Sequence, residues 1–161
     1  MAELEQVAPA FVDMAHRIVW ATVATVDPQG RARTRILHPI WEWDGAALVG
    51  WIATDPTSPK GAHLAQNRSV SVTYWTPEHD TCTADCDSSW ITDDEGRAEV
   101  WRRFADSPEP LGYDPAIIPV WSDGPTSARF AGLRLEPWRL LVQPASVMLQ
   151  GKIDDRLTWT A

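Results

Sequence analysis

The chain has 161 residues, a length at which one domain commonly buries a substantial core. Its formal net charge is -8, and this acidic balance argues against a nucleic-acid backbone as partner. The N-terminal residues lack the basic start and apolar core of a secretory signal, and no apolar run reaches membrane-spanning length. We therefore expect a single domain over residues 1–161 that lies in the cytoplasm and has neither a nucleic-acid nor a membrane partner.

The first half of the chain predicts one helix followed by antiparallel strands. Apolar residues spaced by four, three and four positions indicate an amphipathic helix over about residues 8–17. Turn signals at residues 27–30 and 44–45 separate β-rich runs. Three strands are predicted beside these turns: Trp20 to Val26, Ala32 to Trp41 and Ala46 to Ala53. The first two strands form a hairpin.

The second half predicts further strands and a second long helix. Alternation indicates a fourth strand from Val70 to Tyr74 and a weaker one from Asp80 to Asp87. A capping box over Thr92 to Glu95 begins the helix. The proline- and glycine-rich residues 107–125 are interpreted as a surface crossing with a brief apolar stop at Ile117 to Trp121. Closing strands are predicted at Arg129 to Glu136, Arg139 to Gln143 and Ser146 to Gln150, with room for one more in the tail. Six or so strands with helices outside favour a small antiparallel barrel.

The stretch from Thr54 to Leu64 has the composition of a phosphate-binding loop. Ser58 suits the N-cap of a short helix, and Pro59 suits its first position. Lys60 then lies in the first turn, where its charge opposes the helix dipole and favours a negative ligand. Free backbone N–H groups, two hydroxyls and an ammonium together predict an anion cradle. The alternative is an ordinary strand-to-helix loop with a solvent-facing lysine.

Three arginines, Arg31, Arg33 and Arg35, occupy alternate positions of the second strand, so their side chains leave the same face. In an acidic protein this row needs an anion or carboxylates beside it. If the second and third strands pair through the turn at residues 44–45, one end of the row lies in the sheet that leads to Lys60. An arginine and the lysine would then share one phosphate. The alternative is a solvated strand face.

Other polar residues suggest no metal site and no catalytic side chain. The four histidines show no metal-ligand spacing. Cys82 and Cys86 are spaced as neither a redox pair nor a zinc half-site, and we interpret them as ordinary reduced thiols. No nucleophile with a neighbouring base is evident, which is typical of a cofactor enzyme. The ten tryptophans indicate cores, interfaces or an aromatic ligand site.

The order of these features resembles the flavin-binding split-barrel family typified by pyridoxamine 5'-phosphate oxidase. The resemblance is carried by G-R-A-R-T-R-I-L at residues 30–37, W-I-A-T at 51–54, S-P-K at 58–60 and N-R-S-V at 67–70. It covers about residues 20–72 well, with weaker support from residues 130–143. It implies a mainly β fold with flanking helices, a six-stranded antiparallel split barrel, and similarity to actinobacterial branches that use FMN or a deazaflavin.

The resemblance implies a cofactor site at a homodimer interface. Eight residues are predicted to bind the cofactor: Arg35, Ile36, Leu37, Ala53, Thr54, Ser58, Lys60 and Trp138. The arginine, the threonine, the serine and the lysine of this set would hold the FMN phosphate, and the Ile-Leu pair would run along the isoalloxazine ring. The tryptophan resembles one that reaches the flavin of the neighbouring subunit; the alternative is one more core aromatic.

One departure from the family concerns the substrate. In the vitamin-making oxidases an R-x-H that grips the substrate phosphate follows the tryptophan, whereas residues 139–148 contain no histidine. Pyridoxine phosphate is therefore not the expected substrate. The resemblance implies an oxidoreductase that binds FMN, or an 8-hydroxy-5-deazaflavin coenzyme, and transfers hydride to or from another small molecule. The alternatives are a non-catalytic flavin-binding or stress-related protein and a cofactor-free barrel that serves as an interaction module.

Overall fold

The computed structural model describes residues 2–161. Within them the α-helices are α1 (Leu4–Ile18), α2 (Pro59–Gln66), α3 (Asp94–Asp106) and α4 (Ala145–Gln150). The strands are β1 (Ala21–Val26), β2 (Ala32–Leu37), β3 (Ile40–Trp43), β4 (Leu48–Thr54), β5 (Ser69–Trp75), β6 (Thr81–Ile91), β7 (Ala131–Gln143) and β8 (Leu157–Thr160). Short 3-10 helices lie at Pro115–Ile117, Pro119–Trp121 and Ile153–Asp155.

The strands of residues 2–161 form one antiparallel sheet. Their order is β2-β1-β5-β6-β7-β4-β3, and β8 adds to β7. Short turns join β1 to β2, β3 to β4 and β5 to β6, which are the connections that antiparallel neighbours need. The predicted architecture, mainly antiparallel β with helices outside the sheet, is confirmed, although the sheet has eight strands where six were expected.

Helix α1 covers the main core. Its predicted apolar face is buried, since Val7 and Phe11 are 0 % exposed and Met14 is 6 % exposed. The Phe11 ring packs edge-on against Trp41 with 4.9 Å between ring centroids. The Trp41 indole N–H donates to the Tyr74 hydroxyl at 2.8 Å, which satisfies both groups inside the core. No helix of the described residues is both long and apolar enough to cross a membrane.

A second, smaller core lies where α3 packs on β4 and β7. It contains Val100 and Phe104 from α3 and Trp121 and Phe130 from the chain that follows. The Trp121 indole N–H donates to the Arg129 carbonyl at 2.7 Å. Residues 107–125 otherwise remain largely at the surface, as predicted, and Trp121 of the predicted apolar stop packs into this core.

The predicted strand from Ala32 to Trp41 is two strands. The chain leaves the ladder at His38-Pro39, because a proline has no N–H to donate and restricts the residue before it. Strand β2 pairs only with β1, whereas β3 pairs with β4 through the turn at residues 44–45. The expected pairing of the arginine-bearing strand with the strand that leads to Lys60 was therefore wrong.

Three other predictions of local structure need correction. Residues 145–150 form a helix instead of a strand, because Ala, Met, Leu and Gln favour helix and Gly151 ends it in the left-handed conformation with a φ of 68°. The two closing strands predicted before them are one strand, β7, which accommodates Pro137 beside a register shift in its pairing with β6. Helix α3 is capped by Asp93, not by Thr92: the Asp93 carboxylate accepts the Gly96 N–H at 2.8 Å.

Candidate functional site

The loop between β4 and α2 is organised around the Ser58 hydroxyl. Ser58 occupies the N-cap position of α2 with extended backbone, and Pro59 takes the first helical position, as predicted. The Ser58 side chain does not cap the helix, however. Its Oγ donates to the Asp55 carbonyl at 2.8 Å and accepts the Lys60 Nζ at 2.6 Å. Because no side chain caps α2, the N-terminal end of the helix keeps its partial positive charge.

Lys60 is a buried cation. It is 8 % exposed, and its Nζ donates to the Ser58 Oγ and, at 3.3 Å, to the Asp55 carbonyl. Burial lowers the pKa of Lys60, the charge of Arg35 lowers it further, and the charge of Asp55 offsets part of the effect. Arg35 and Lys60 therefore lie close enough to repel each other.

The packing of α2 on β1 brings these two cations together. His63 of α2 shares a 2.9 Å hydrogen bond between its Nδ1 and the Thr25 Oγ1 of β1. In the β1–β2 ladder Val23 lies opposite Arg35, whose guanidinium donates to the Val23 carbonyl at 3.0 Å. The sequence analysis expected this proximity from pairing with β4. The structure achieves it through β1 and the helix instead.

Neither Arg35 nor Lys60 forms an ion pair with a carboxylate anywhere in residues 2–161. The nearest candidate, Asp55, is already engaged. Its Oδ1 accepts the Thr57 backbone N–H at 2.8 Å and the Thr57 hydroxyl at 2.7 Å, while its Oδ2 lies 2.6 Å from a guanidinium nitrogen of Arg129. Burial raises the pKa of Asp55, but these hydrogen bonds outweigh it and the pKa is lowered. The Asp55 carboxylate is therefore bonded to Thr57 and Arg129 and does not form an ion pair with Lys60.

The other two arginines of the predicted row, Arg33 on β2 and Arg31 just before it, have a counter-ion of their own. Asp27 lies 3.9 Å from Arg31 and 3.5 Å from Arg33 and is nearly buried, with a side chain 5 % exposed. Its carboxylate also accepts the backbone N–H groups of Gln29 and Arg31, which lowers the pKa of Asp27. The predicted arginine row is therefore divided into a neutralised outer pair and an inner residue, Arg35.

Beside these cations lies a cleft of about 610 Å³. Four of the residues predicted to contact the cofactor line it, namely Ile36 and Leu37 from the end of β2 and Ala53 and Thr54 from the end of β4. The opposite wall comes from the segment after α3. The other lining residues are Trp20, His38, Asp55, Pro110, Tyr113, Ile117, Ile118, Val120 and Trp121. A cleft of this size with a mainly apolar lining is typical of a small-molecule or cofactor site.

An aromatic group forms the corner of this cleft. His38 stacks on Tyr113 with 5.4 Å between ring centroids and an interplanar angle of 30°, and it contacts Trp20 at 5.1 Å. Burial lowers the pKa of His38, and the charge of His16 lowers it further, so the ring is neutral near pH 7. The His38 Nε2 is buried and has no hydrogen-bond partner among residues 2–161.

Trp138 lies apart from the other predicted site residues. It is 44 % exposed and lines a separate cleft of about 160 Å³ with residues of β1, β2, β5 and β6. Within the chain, therefore, it does not join Arg35, Lys60 and the residues of the larger cleft.

Several residues of this site were not identified from the sequence. Asp55 and Arg129 form an ion pair although they are 74 positions apart in the sequence, and no local pattern indicates an ion pair at that separation. The wall formed by residues 110–121 was also missed. Its only sequence signal is the apolar run Ile117 to Trp121 inside a proline-rich segment, which is unusual for a solvated loop.

Comparison with known proteins places the chain in a family. The family described as pyridoxamine 5'-phosphate oxidase matches residues 7–140. No curated protein matches the chain. Among solved structures, a pyridoxamine 5'-phosphate oxidase-related, FMN-binding protein from Nostoc punctiforme superposes with a TM-score of 0.66 at 16 % identity, covering 100 % of this chain and 98 % of that one.

Two further structures show the same fold. One, from Clostridium acetobutylicum, is related to general stress protein 26 of the pyridoxinephosphate oxidase family; it has a TM-score of 0.68 at 11 % identity and covers 92 % of this chain and 89 % of its own. An F420 reductase has a TM-score of 0.56 at 16 % identity and covers 81 % and 94 %. These similarities confirm the predicted split-barrel fold. With the match over residues 7–140, they show that the chain belongs to the pyridoxamine 5'-phosphate oxidase family.

Proposed function

We propose that the protein is a flavin-dependent oxidoreductase that binds FMN and acts on a small molecule. The phosphate of FMN would be held by Arg35, Thr54, Ser58 and Lys60, and its ring would occupy the cleft along residues 36–37. The observation that carries this proposal is the buried Lys60 beside Arg35, two cations with no carboxylate partner in the described chain. A buried charge without a counter-ion is costly, so such a pair indicates an anion from outside the chain.

The residues present suit a phosphate. Arg35 offers a planar fork of donors, Lys60 offers a point charge, and the N-terminal end of α2 adds a favourable dipole. Ser58 already holds the lysine ammonium in place at 2.6 Å. Pre-positioned donors lose less conformational entropy when the ligand binds, which favours tight binding of the phosphate.

The proposed catalysis relies on the cofactor for its chemistry. Hydride transfer is the chemistry that FMN would supply when bound, and the residues of the chain would bind and orient the cofactor and exclude water from it. The cleft provides these functions through its apolar walls and through the neutral His38 at its corner. No residue of the chain is assigned a covalent role.

A homodimer is part of the proposal. Large apolar side chains are exposed around the cleft: Trp20 at 61 %, Ile36 at 60 % and Ile117 at 69 %. An exposed apolar surface of this kind favours a partner protein, and a second copy of the chain would cover it. The exposed Trp138 would then be available to the cofactor of the other subunit, as the family resemblance implies.

The test compares two ligands that share one ring. The purified protein is titrated with FMN and with riboflavin, which lacks the phosphate, and binding is followed by quenching of flavin fluorescence. We expect FMN to bind at least 100-fold more tightly, because charge-assisted contacts to Arg35 and Lys60 are worth about 1.5–3 kcal/mol each. Equal affinities, or no binding of either flavin, would overturn the proposal.

A deazaflavin is the second candidate cofactor, because one of the similar structures is an F420 reductase. A parallel titration with the 8-hydroxy-5-deazaflavin coenzyme decides which cofactor binds more tightly. Stopped-flow reduction of the bound cofactor by NADH or NADPH then separates an enzyme from a non-catalytic flavin-binding protein. Saturable reduction is expected of the enzyme, whereas a pure binding protein gives none.

A further inference from the structure

We infer that His63 and Thr25 form a positioning pair for the phosphate site and set its preference for a phosphorylated flavin over an unphosphorylated one. The hydrogen bond between them fixes α2 against β1 and thereby holds the Lys60 ammonium beside the Arg35 guanidinium. The inference rests on the proposed function, because it names two residues that act on the same site through Lys60. Neither residue is among the eight that the sequence predicted to bind the cofactor.

The bond lies on the packed face of α2. Lys60, His63 and Leu64 are the buried residues of this helix, and a separation of three positions places Lys60 and His63 on the same side of it. His63 is 7 % exposed and Thr25 is 2 % exposed, and 2.9 Å separates the imidazole Nδ1 from the threonine Oγ1. Each of these buried polar atoms therefore satisfies the other. Among residues 2–161, no other hydrogen bond joins α2 to β1.

Both cations are positioned from β1. Thr25 and Val23 are two positions apart, so their side chains leave the same face of the strand. Val23 holds Arg35 through its backbone carbonyl, which accepts a guanidinium N–H at 3.0 Å. Thr25 holds Lys60 through His63, about one turn further along α2. Two hydrogen bonds to one strand therefore set the separation of the two cations.

The pair acts against electrostatic repulsion. Burial lowers the pKa of Lys60 and the charge of Arg35 lowers it further, so the two cations repel each other in the ligand-free protein. Leu64 packs in the main core, but apolar contact is non-directional and does not fix the helix in one position. The directional bond between His63 and Thr25 opposes displacement of α2 from β1. Donors that are already in place lose less conformational entropy when the phosphate binds.

The test is the ratio of FMN affinity to riboflavin affinity in Thr25→Val, measured by quenching of flavin fluorescence. Valine has nearly the shape of threonine but lacks the hydroxyl, so the variant loses the hydrogen bond with little change of volume. We expect the ratio to fall by about five-fold or more, because Lys60 and Arg35 no longer meet the phosphate together. An unchanged ratio would overturn the inference. An equal loss of affinity for both flavins, which is the result of a merely structural bond, would overturn it as well.

Two variants control for the loss of the hydroxyl. Thr25→Ser keeps a hydroxyl at the same position, so its ratio should stay near that of the wild type. Thr73→Val removes a hydroxyl of β5 that lies 3.2 Å from the Thr83 hydroxyl of β6, a comparable bond in the same sheet that does not involve α2. Its ratio should also be that of the wild type. A fall in either control as large as that in Thr25→Val would contradict the assignment.

His63→Leu removes the same bond from the side of the helix. Its ratio should fall as in Thr25→Val, and this variant decides the question if Thr25→Val does not fold. A ratio equal to that of the wild type would show that the bond does not position Lys60.

Failure of the inference is distinguishable from failure of the proposed function. Equal binding of FMN and riboflavin by the wild type overturns the proposed function. The probe is then inorganic phosphate, which should raise the melting temperature of the wild type relative to chloride at equal ionic strength. The rise should be smaller in Thr25→Val, because its cations are no longer held together. An equal rise in both proteins, or no rise in either, would overturn the inference itself.

Discussion

Arginines near the two ends of β2 differ in whether they have a carboxylate partner. At the start of β2, Arg33 and the preceding Arg31 are exposed and share the carboxylate of Asp27. At the inner end, Arg35 lies near the buried Lys60, and neither cation has a carboxylate partner among residues 2–161. The chain thus neutralises two exposed arginines and leaves the buried Lys60 and the half-buried Arg35 without a carboxylate partner.

The difference indicates which cations are structural and which bind a ligand. Exposed ion pairs contribute little to stability, so Asp27 serves mainly to order the turn between β1 and β2 through its bonds to the Gln29 and Arg31 backbone. A buried lysine beside an arginine lowers stability unless an anion arrives. We infer that the uncompensated charges of Arg35 and Lys60 destabilise the ligand-free protein. Phosphate binding would remove this destabilisation.

The largest expected effect is that of Lys60→Met. Losing the ammonium should weaken FMN binding by roughly 10- to 150-fold, because a charge-assisted hydrogen bond is worth about 1.5–3 kcal/mol. Riboflavin binding should change little, since the phosphate is absent. The melting temperature of the cofactor-free variant should rise, because methionine is buried without desolvating a charge.

The control for this variant is Lys152→Met. Lys152 is the other lysine of the chain and is exposed, so its replacement should alter neither FMN affinity nor stability. A fall in both FMN affinity and apoprotein stability for Lys60→Met would show that the lysine is structural, and the contrast between the two ends of β2 would lose its meaning.

The next effect is the pH dependence of FMN binding. The pKa of Lys60 lies below its ordinary value of 10.5, because of burial and the charge of Arg35. Only the protonated amine attracts phosphate, so FMN affinity should fall as the pH rises through this lowered pKa. The phosphate of FMN is a dianion throughout that range, so it does not titrate there.

Fluorescence titrations between pH 7 and about 9.5 check this dependence. Riboflavin has the same ring and therefore reports any titration of the ring itself. In wild-type protein the affinity for FMN should depend on pH more strongly than the affinity for riboflavin. In Lys60→Met the two affinities should depend on pH equally. A pH dependence that persists in this variant would mean that a group other than Lys60 titrates at the phosphate site.

A smaller effect is expected from Arg129→Met. Removing the guanidinium frees the Asp55 carboxylate, which then lies uncompensated beside Lys60 and opposes the incoming phosphate. FMN affinity should fall about five- to ten-fold, which corresponds to roughly 1 kcal/mol. In the double variant with Asp55→Asn, the negative charge is absent and most of the FMN affinity should return. A double variant that binds no better than Arg129→Met would contradict this account.

The sequence predicted the local parts of this site better than their arrangement. Ser58 at the N-cap, Pro59 at the first helical position and an apolar strand before them follow from short-range chemistry. The structure has all three, with the strand predicted from Ala46 to Ala53 observed at Leu48–Thr54. The pairing of β2 was wrong because Pro39 ends the strand, although the proline was visible in the sequence. Strand pairing depends on contacts between distant residues, which a local pattern does not encode.

The wall of the cleft shows the same limit. Residues 110–121 contain no regular periodicity, and their position depends on packing of Trp121 against Phe130 and on the bond from its indole to the Arg129 carbonyl. The roles of the eight predicted cofactor residues stay predictions. The structure brings seven of them to the loop and cleft and leaves Trp138 elsewhere.

The smallest effect is expected at the neutralised end of β2. In Asp27→Asn the side-chain oxygen can still accept the Gln29 and Arg31 N–H groups, so the turn should persist, while Arg31 and Arg33 lose their counter-ion. Both arginines are exposed and screened by water and salt, so FMN affinity should change less than about two-fold.

Acid stability provides the second readout for Asp27→Asn. Hydrogen bonds from the Arg31 and Gln29 backbone, with the charges of Arg31 and Arg33, keep the pKa of Asp27 below its ordinary value of 3.8. A depressed carboxyl pKa contributes stability that is complete above 3.8 and is lost as the pH falls through the folded-state value. Thermal melts from pH 7 down to about pH 2.5 should therefore show a shallower loss for the variant than for the wild type. If FMN affinity instead rose ten-fold in this variant, the outer arginines would belong to the phosphate site, and the division of the strand into two ends would be wrong.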